Sequence, residues 1–376
     1  MENKFISWVW KIQYNYKSFL PNHINKVFIW NDSKINILLE KANLELGKLE
    51  SFSNFIPDID FFISMHIWKE AIKSSRIEWT KTEFDDLFLE DTSAKTIEEK
   101  NDILEVKNYI DALNLWIKDL QKLPLSFRLF WEIHQTLLKW VRWEHKSPWE
   151  IRRSQNWIGW SSLQDAFFIP PHQDDLSDLI NDFEKFLHND SLEIPELIKV
   201  AIAHYQFETI HPYLDWNGRI WRLMIILYLI DKKILTRPVL YISDFFEKNK
   251  WSYYDALTVV RSSNDIEHFI KFFLTWVIET CKSSANTFEE ILKLKKIYWD
   301  KILCLWNKAE KWNILFNKLF SHPYVSAIHV WAILWVSPTT SNDYIKKFIE
   351  LWVLKEVTWL KKNKFYSFDE YLKLFR

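Results

Sequence analysis

Glycine is nearly missing. The 376 residues contain 3 of them, where about 7% is usual because tight turns, helix C-caps and close backbone contacts need a residue without a Cβ. Cysteine is scarce too. Cys281 and Cys304 cannot build a disulfide framework, and no CxxC pair or Cys/His cluster offers a zinc site. The densest apolar run, Leu223 to Ile230, is far too short to span a bilayer. Neither charge sign dominates: 49 Lys and Arg stand against 50 Asp and Glu. That balance excludes a chain governed by nucleic-acid or membrane electrostatics, while leaving a local basic patch open. The first nineteen residues lack the apolar stretch and cleavage site of a signal peptide, so a reducing cytoplasm and no membrane partner are expected.

What is abundant is tryptophan, at 23 residues. Glycine and tryptophan together make up about 7% of the chain, an ordinary share for glycine alone. Length allows two or three domains with a sizeable core. Apolar residues recur at three- and four-residue spacing, which predicts helices over 32–49, 58–78, 95–121, 124–140, 174–188 and 193–209. Asn31-Asp32-Ser33 supplies capping candidates for the first, and an acidic first turn suits the third. Residues 151–171 break the pattern with two short extended runs closed by Pro170-Pro171, a β-hairpin or flap. The fold class expected is mainly α.

The chemistry concentrates at residues 211–222. His211-Pro212-Tyr213-Leu214-Asp215-Trp216-Asn217-Gly218-Arg219-Ile220-Trp221-Arg222 runs into an apolar helix. A helix N-terminus presents unpaired N–H groups and positive dipole charge, which favours phosphate. Asn217, Gly218, Arg219 and Arg222 add donors, and the two arginines, one turn apart, can fork around phosphoryl oxygens. Asp215 is an oxygen ligand suited to Mg²⁺. A neutral imidazole at His211 can take a proton from an attacking hydroxyl. The bland alternative, a capped helix with a stray histidine and two surface arginines, suits any one of these residues better than all of them within twelve positions. The combination points to nucleotidyl or phosphoryl transfer.

This string resembles the motif of the Fic (filamentation induced by cAMP) family, His-Pro-Phe-x-Asp-Gly-Asn-Gly-Arg-x-x-Arg, with Tyr213 for Phe and Trp216 for the first Gly. The resemblance implies a helical Fic core that transfers AMP from ATP onto a Ser, Thr or Tyr hydroxyl of a target protein, releasing pyrophosphate. It makes His211 the general base and has Asp215 hold Mg²⁺. The loop at 216, Asn217, Gly218 and Arg219 would then bind phosphates, and Arg222 the γ-phosphate. Gly218 resembles the AMP-transferring branch, since Doc-like kinases of the family carry Lys there. Residues 147–171 look like the family's flap, which positions the target by strand addition. Tyr253 and Tyr254 match a pair lying near the adenine, against the alternative of ordinary packing aromatics. Ser74 to Trp79 matches the inhibitory pattern Ser/Thr-x-x-x-Glu-Gly, which pairs Glu78 with Arg222. An arginine held by a carboxylate cannot also clamp a γ-phosphate. Homodimers are frequent among relatives and stay open here, as does removal of AMP.

The resemblance divides the chain into a Fic N-terminal domain with its inhibitory helix (1–92), a catalytic core (93–285), a helical linker (286–309) and a unit at 310–376. That last unit resembles a winged helix-turn-helix, with residues 338–351 as recognition helix and Lys361, Lys362 and Lys364 at the wing. DNA is its expected partner, against a packing module that never meets DNA. A DNA-binding regulator with a sensory or inactive Fic core is therefore the alternative function. Set against the family, tryptophan stands where glycine is expected at Trp79, Trp149, Trp160, Trp216, Trp221, Trp335 and Trp352, whereas Trp157 falls where relatives have Trp. The expectation is a gene whose source reads UGA as glycine, written here with UGA as tryptophan. An indole at 216 would crowd a loop whose backbone must approach phosphate.

Overall fold

The computed structural model describes residues 5–56, 59–78, 80–88, 96–120, 124–139, 150–159, 162–303, 309–358 and 364–375. The readings at Trp79, Trp149, Trp160, the start of the flap and the wing turn at 361–362 lie outside these residues.

The chain opens with a hairpin of β1 (Trp8–Ile12) and β2 (Lys17–Pro21), paired antiparallel, in a stretch for which the sequence suggested no element. Helices α1 (Ser33–Phe55), α2 (Ile59–Ile77), α3 (Phe84–Phe88), α4 (Ile97–Asp119) and α5 (Phe127–Leu137) follow. Asp32 caps α1 by accepting from the Lys34 amide, and Thr96 and Glu99 form a reciprocal capping box on α4. The flap is β3 (Ile158–Gly159) against β4 (Ala166–Phe168). Then come α6 (Leu176–His188), α7 (Glu196–Ile210), α8 (Asn217–Asp231), α9 (Ser243–Lys248), α10 (Lys250–Ser263) and α11 (Ile266–Leu303). Helices α7 and α8 are buried on nearly every face, so they form the central pillars, and the 211–216 loop joins them.

Helix α11 runs unbroken through residue 285, where a core-to-linker boundary was expected; it packs on α1, and near its end Tyr298 meets Phe368 of the C-terminal unit. Lys282, Lys293, Lys296 and Lys301 lie on the solvated face of this one long helix. The C-terminal unit comprises α12 (Ala309–Ser321), β5 (Tyr324–Val325), α13 (Ala327–Leu334), α14 (Pro338–Glu350), β6 (Lys355–Glu356), β7 (Tyr366–Ser367) and α15 (Asp369–Lys373). Its three strands pair in the order β5-β7-β6. It packs on the N-terminal helices through Phe62 against Phe320 (5.1 Å between rings), Phe88 stacked on Tyr324 (4.9 Å) and Tyr324 hydrogen-bonded to Asp85.

Two of the three glycines sit where a side chain would not fit. Gly159 has φ 124°, and a Cβ there would lie 2.7 Å from the Phe167 amide. A Cβ at Gly218 would lie 2.9 Å from both the Arg222 guanidinium and the Glu78 carboxylate. Among the described residues seven non-glycines have positive φ, and three of these are Trp216 (70°), Trp335 (51°) and Trp352 (64°). Trp335 ends α13 and Trp352 follows α14, the positions where a left-handed residue closes a helix and glycine is usual. Their indoles are 83% and 80% exposed, so packing does not explain them. Trp221 differs. It is buried inside α8, stacked on Phe207 at 5.2 Å, with helical backbone.

Candidate active site

Helix α7 ends because His211 turns left-handed (φ 48°, ψ 62°) and its amide bonds back to the Phe207 carbonyl at 2.9 Å. Burial pushes the His211 imidazole down to about 3, with Arg152 and Arg261 adding to the shift. The ring is therefore neutral at pH 7 and able to accept a proton.

The loop after His211 is pinned from within. Asn217 accepts from the Tyr213 amide (3.0 Å) and donates to the Tyr213 carbonyl (2.9 Å), so this side chain holds the loop closed. Asp215 accepts from the Trp216 amide at 2.8 Å. Trp216 caps α8 in the left-handed region, only 4% exposed, and its indole lies 3.9 Å from the Arg219 guanidinium. Among the described residues no cluster of three or more His, Cys, Asp or Glu side chains is placed to hold a metal ion. Asp215 alone fits an ion brought with nucleotide phosphates, since Mg²⁺ commonly binds one or two carboxylates plus phosphate oxygens.

The two motif arginines are both engaged. Arg219 donates to Glu105 of α4 at 2.7 Å, and both side chains are buried. Arg222 donates from Nε to the Ser74 hydroxyl (3.0 Å) and from Nη2 to the Ser74 carbonyl (3.0 Å) and to Glu78 Oε1 (2.9 Å). The C-terminal end of α2 thus closes over α8, with Gly218 leaving the room. Burial alone would raise the Glu78 carboxyl, but Arg222 chiefly, with Arg219 and Lys250, holds it below the ordinary carboxylate value. Lys250 in turn donates to the Ile77 carbonyl at 2.6 Å.

The aromatic pair divides. Tyr253 is buried, its hydroxyl 2.9 Å from His204 Nε2 in an aromatic cluster. Tyr254 stays 38% exposed, and its phenol is pushed up to about 12 by burial and by the Glu78 charge, which places it beside the α2–α8 contact.

Residues 37–117 match the family model for the Fic/DOC family N-terminal, and residues 124–229 that for the Fic/DOC family. Residues 37–117 and 124–229 thus carry these two domains of the Fic/DOC family. The protein adenylyltransferase Fic of Aedes aegypti is 30% identical over 179 residues, which are 47% of this chain and 32% of that one. The chain thus spans about a third of the length of the curated relatives it matches. A Fic family protein from Desulfovibrio desulfuricans G20 shares the fold at a TM-score of 0.57 and 18% identity, over 91% of this chain and 97% of that one. Fic-1 from C. elegans does so at 0.53 and 19%, over 70% and 75%.

Three residues of this Fic/DOC site were not singled out from the sequence. Glu105 anchors Arg219 from over a hundred residues upstream. Arg152, at the base of the flap, donates to the carbonyls of His211 (3.0 Å), Ser154 (3.2 Å) and Pro171 (2.5 Å), and its own amide bonds to the Pro212 carbonyl (2.9 Å). It ties flap to loop, a role invisible in the string Ile151-Arg152-Arg153. Glu208 lies one turn before His211, and that spacing was the available signal. Burial raises its carboxyl to about 7; Arg222 and Arg261 pull it down and Glu78 up, so it faces the same cleft. Arg261 also covers the flap through Phe168, 3.7 Å from its ring centroid.

Proposed function

We propose that this chain is a protein adenylyltransferase held off by Glu78. The target hydroxyl oxygen attacks the α-phosphorus of ATP, its bond to pyrophosphate breaks, and the hydroxyl proton passes to His211. Arg222 would bind the γ-phosphate once released from Glu78. The amides at the start of α8 would take the phosphate charge, with Asp215 holding the Mg²⁺ that accompanies ATP and screens its charge. The observation that carries the reading is the Glu78–Arg222 pair at 2.9 Å, beside a neutral His211. An arginine bonded three times by α2 is unavailable to a nucleotide, which is what an inhibited transferase requires. The target is a protein presenting a Ser, Thr or Tyr hydroxyl beside the flap, where Phe167 is exposed. The cytoplasm, where ATP is available, is the setting this reading implies.

The test is incubation of the Glu78→Gly protein with ATP labelled on either the α- or the γ-phosphate. Label entering protein from the α position, and lost with His211→Ala, supports AMP transfer. Label from the γ position alone would replace it with phosphotransfer.

A second reading, DNA binding by residues 310–376, has one observation in its favour. Helix α14 buries Ser341, Tyr344, Ile345 and Phe348 and turns Thr339, Asn342 and Lys346 to solvent, as a recognition helix would. Retardation of duplex DNA by the full chain, weakened by Lys346→Glu, would support it; no retardation at low salt would end it.

A further inference from the structure

A cavity of about 270 Å³ lies between α2, α9 and α11, away from the His211 loop. One wall is a stripe of α11 formed by Thr280, Ser283, Ser284 and Thr287. These positions, i, i+3, i+4 and i+7, share one helix face, and a face turned inward is ordinarily apolar. Here it carries four hydroxyls: those of Thr280 and Ser284 are buried, Ser283 stands exposed at the rim, and Thr287 donates to the Ser283 carbonyl at 3.0 Å. Facing them are Lys69 from α2 and Lys248 from α9.

The polar groups of this cavity are poorly satisfied. The Thr280 hydroxyl and His66 Nε2 are buried, their residues 5% and 3% exposed, and neither has a hydrogen-bond partner. Leaving such buried groups unpaired is unfavourable, and a ligand that bonds them would recover that cost. Lys69 is itself largely buried, and its nearest carboxylate, Asp244, is 3.7 Å away. Asp244 is closer to Lys248, at 2.8 Å, while the neighbouring Lys73 is matched by Glu247 at 2.6 Å. One carboxylate is thus shared by two cavity lysines. Glu279 also borders the cavity and is exposed and screened by solvent, as is Lys248 at the rim, so Lys69 is the buried charge of the site. Burial lowers the Lys69 pKa, and a bound anion would reverse that.

We propose that this cavity binds a small phosphate monoester or free phosphate, with Lys69 and Lys248 taking the oxyanion charge and the Thr280 and Ser284 hydroxyls donating to its oxygens. Ammonium groups opposite a row of hydroxyls match a tetrahedral oxyanion, and the aromatic side of the cavity, Tyr241 and Phe245, leaves room for a compact organic substituent. The site is separate from the α8 N-terminus and does not depend on the transferase reading.

The test is a titration of the full chain with inorganic phosphate and with glucose 6-phosphate. Binding is read by calorimetry and by thermal denaturation, against sodium chloride of equal ionic strength and against glucose. Saturable binding of either phosphate is expected, weakened about tenfold or more by Lys69→Met and by Thr280→Val. The first keeps the aliphatic stem and the second the shape, so both should fold. Arg222→Ala, which removes an anion donor at the α8 site, should leave the affinity unchanged. Equal affinity for both probes identifies the free ion as sufficient, and a preference for the sugar phosphate identifies the ester. The proposal is overturned if neither probe binds saturably at millimolar concentration, or if Arg222→Ala abolishes binding while Lys69→Met does not.

Discussion

Replacing Trp216 by glycine, alone and together with Glu78→Gly, separates two obstacles that lie side by side at the head of α8. Glu78 holds Arg222. The indole of Trp216 fills the loop against Arg219. If tryptophan belongs at 216, its removal should hurt. Truncating a buried Trp costs about 3–5 kcal/mol, and relief of a left-handed L-residue returns roughly 1–2 kcal/mol, so the variant should be about 1–4 kcal/mol less stable with no gain in transfer. If the loop is built for glycine, the amides at residues 216–218 become open to phosphate, and single donors of that kind are worth about 100-fold or more in rate. The expected pattern from α-labelled ATP is a weak signal for Trp216→Gly, a modest rise for Glu78→Gly, and a double variant about 100-fold faster than Glu78→Gly alone. Urea unfolding of all four proteins gives the stability side. Should Glu78→Gly alone match the double variant, the indole does not obstruct the loop and the glycine reading of residue 216 fails. The gene offers a parallel check: TGA at codons 216, 335 and 352 is expected, and TGG at all three defeats recoding.

Glu105→Ala should destabilise the chain by about 3–5 kcal/mol, because it leaves the Arg219 charge buried and unpaired; a urea midpoint within error of the parent would show the pair to be unimportant. Arg152→Ala removes the donors that join flap to loop, so it should lower transfer onto a protein target more than ATP binding, read as separate effects on kcat and on nucleotide affinity. Stability should fall as pH drops below about 6.5. His134 and His211 stay neutral in the fold, both pushed down to about 3 by burial, and His66 and His204 lie well below their ordinary value for the same reason. Below 6.5 the unfolded chain binds protons that the folded one refuses, about 1.4 kcal/mol per pH unit for each group at the limit. Glu208, raised to about 7, works the other way, since the folded form keeps a proton between about 4.5 and 7 that the unfolded form releases. Burial raises the Glu70 carboxyl in the same sense, but four histidines outweigh two glutamates, so a urea midpoint that rises from pH 7 to pH 5.5 would contradict these assignments.

The helices were legible because their signals are local. The caps at Asp32 and Thr96 and the three-to-four periodicity lie within a single helix, and the string 211–222 carries its chemistry in twelve consecutive residues. What was missed is tertiary. The β1–β2 hairpin has little local turn chemistry, and part of its support comes from outside: the Phe19 amide bonds to the Ile169 carbonyl at the end of the flap, and Phe19 meets Phe168 edge to face. Glu105 and Arg152 look like ordinary surface charges until α4 and the flap bring them to the loop. The boundary expected near 285 came from the family's domain division, yet what decides a helix is its apolar stripe, and that stripe continues past 285 through the buried Phe288, Ile291, Tyr298 and Ile302.

The backbone sharpens the glycine question beyond what composition could. A shortage of glycine alone is compatible with a protein that has found other ways to turn. Such a chain would place Asn or Asp at its left-handed positions, as Asn264 does at the end of α10. Trp335 and Trp352 do the opposite: they put a bulky side chain into a left-handed cap and then leave it over three-quarters exposed, incurring strain with no burial in return. Trp216 repeats the conformation at the head of α8, where the proposed transferase would take the phosphates. Trp221 does not share it, because a helix interior sets no positive φ and the Phe183–Phe207 cluster accommodates the ring. Backbone conformation therefore ranks the tryptophans. Trp335→Gly and Trp352→Gly should each stabilise the chain by about 1 kcal/mol, whereas Trp221→Gly, in a packed helix, should destabilise it by several. If all three substitutions lower the urea midpoint alike, these caps are not glycine positions and the ranking is wrong.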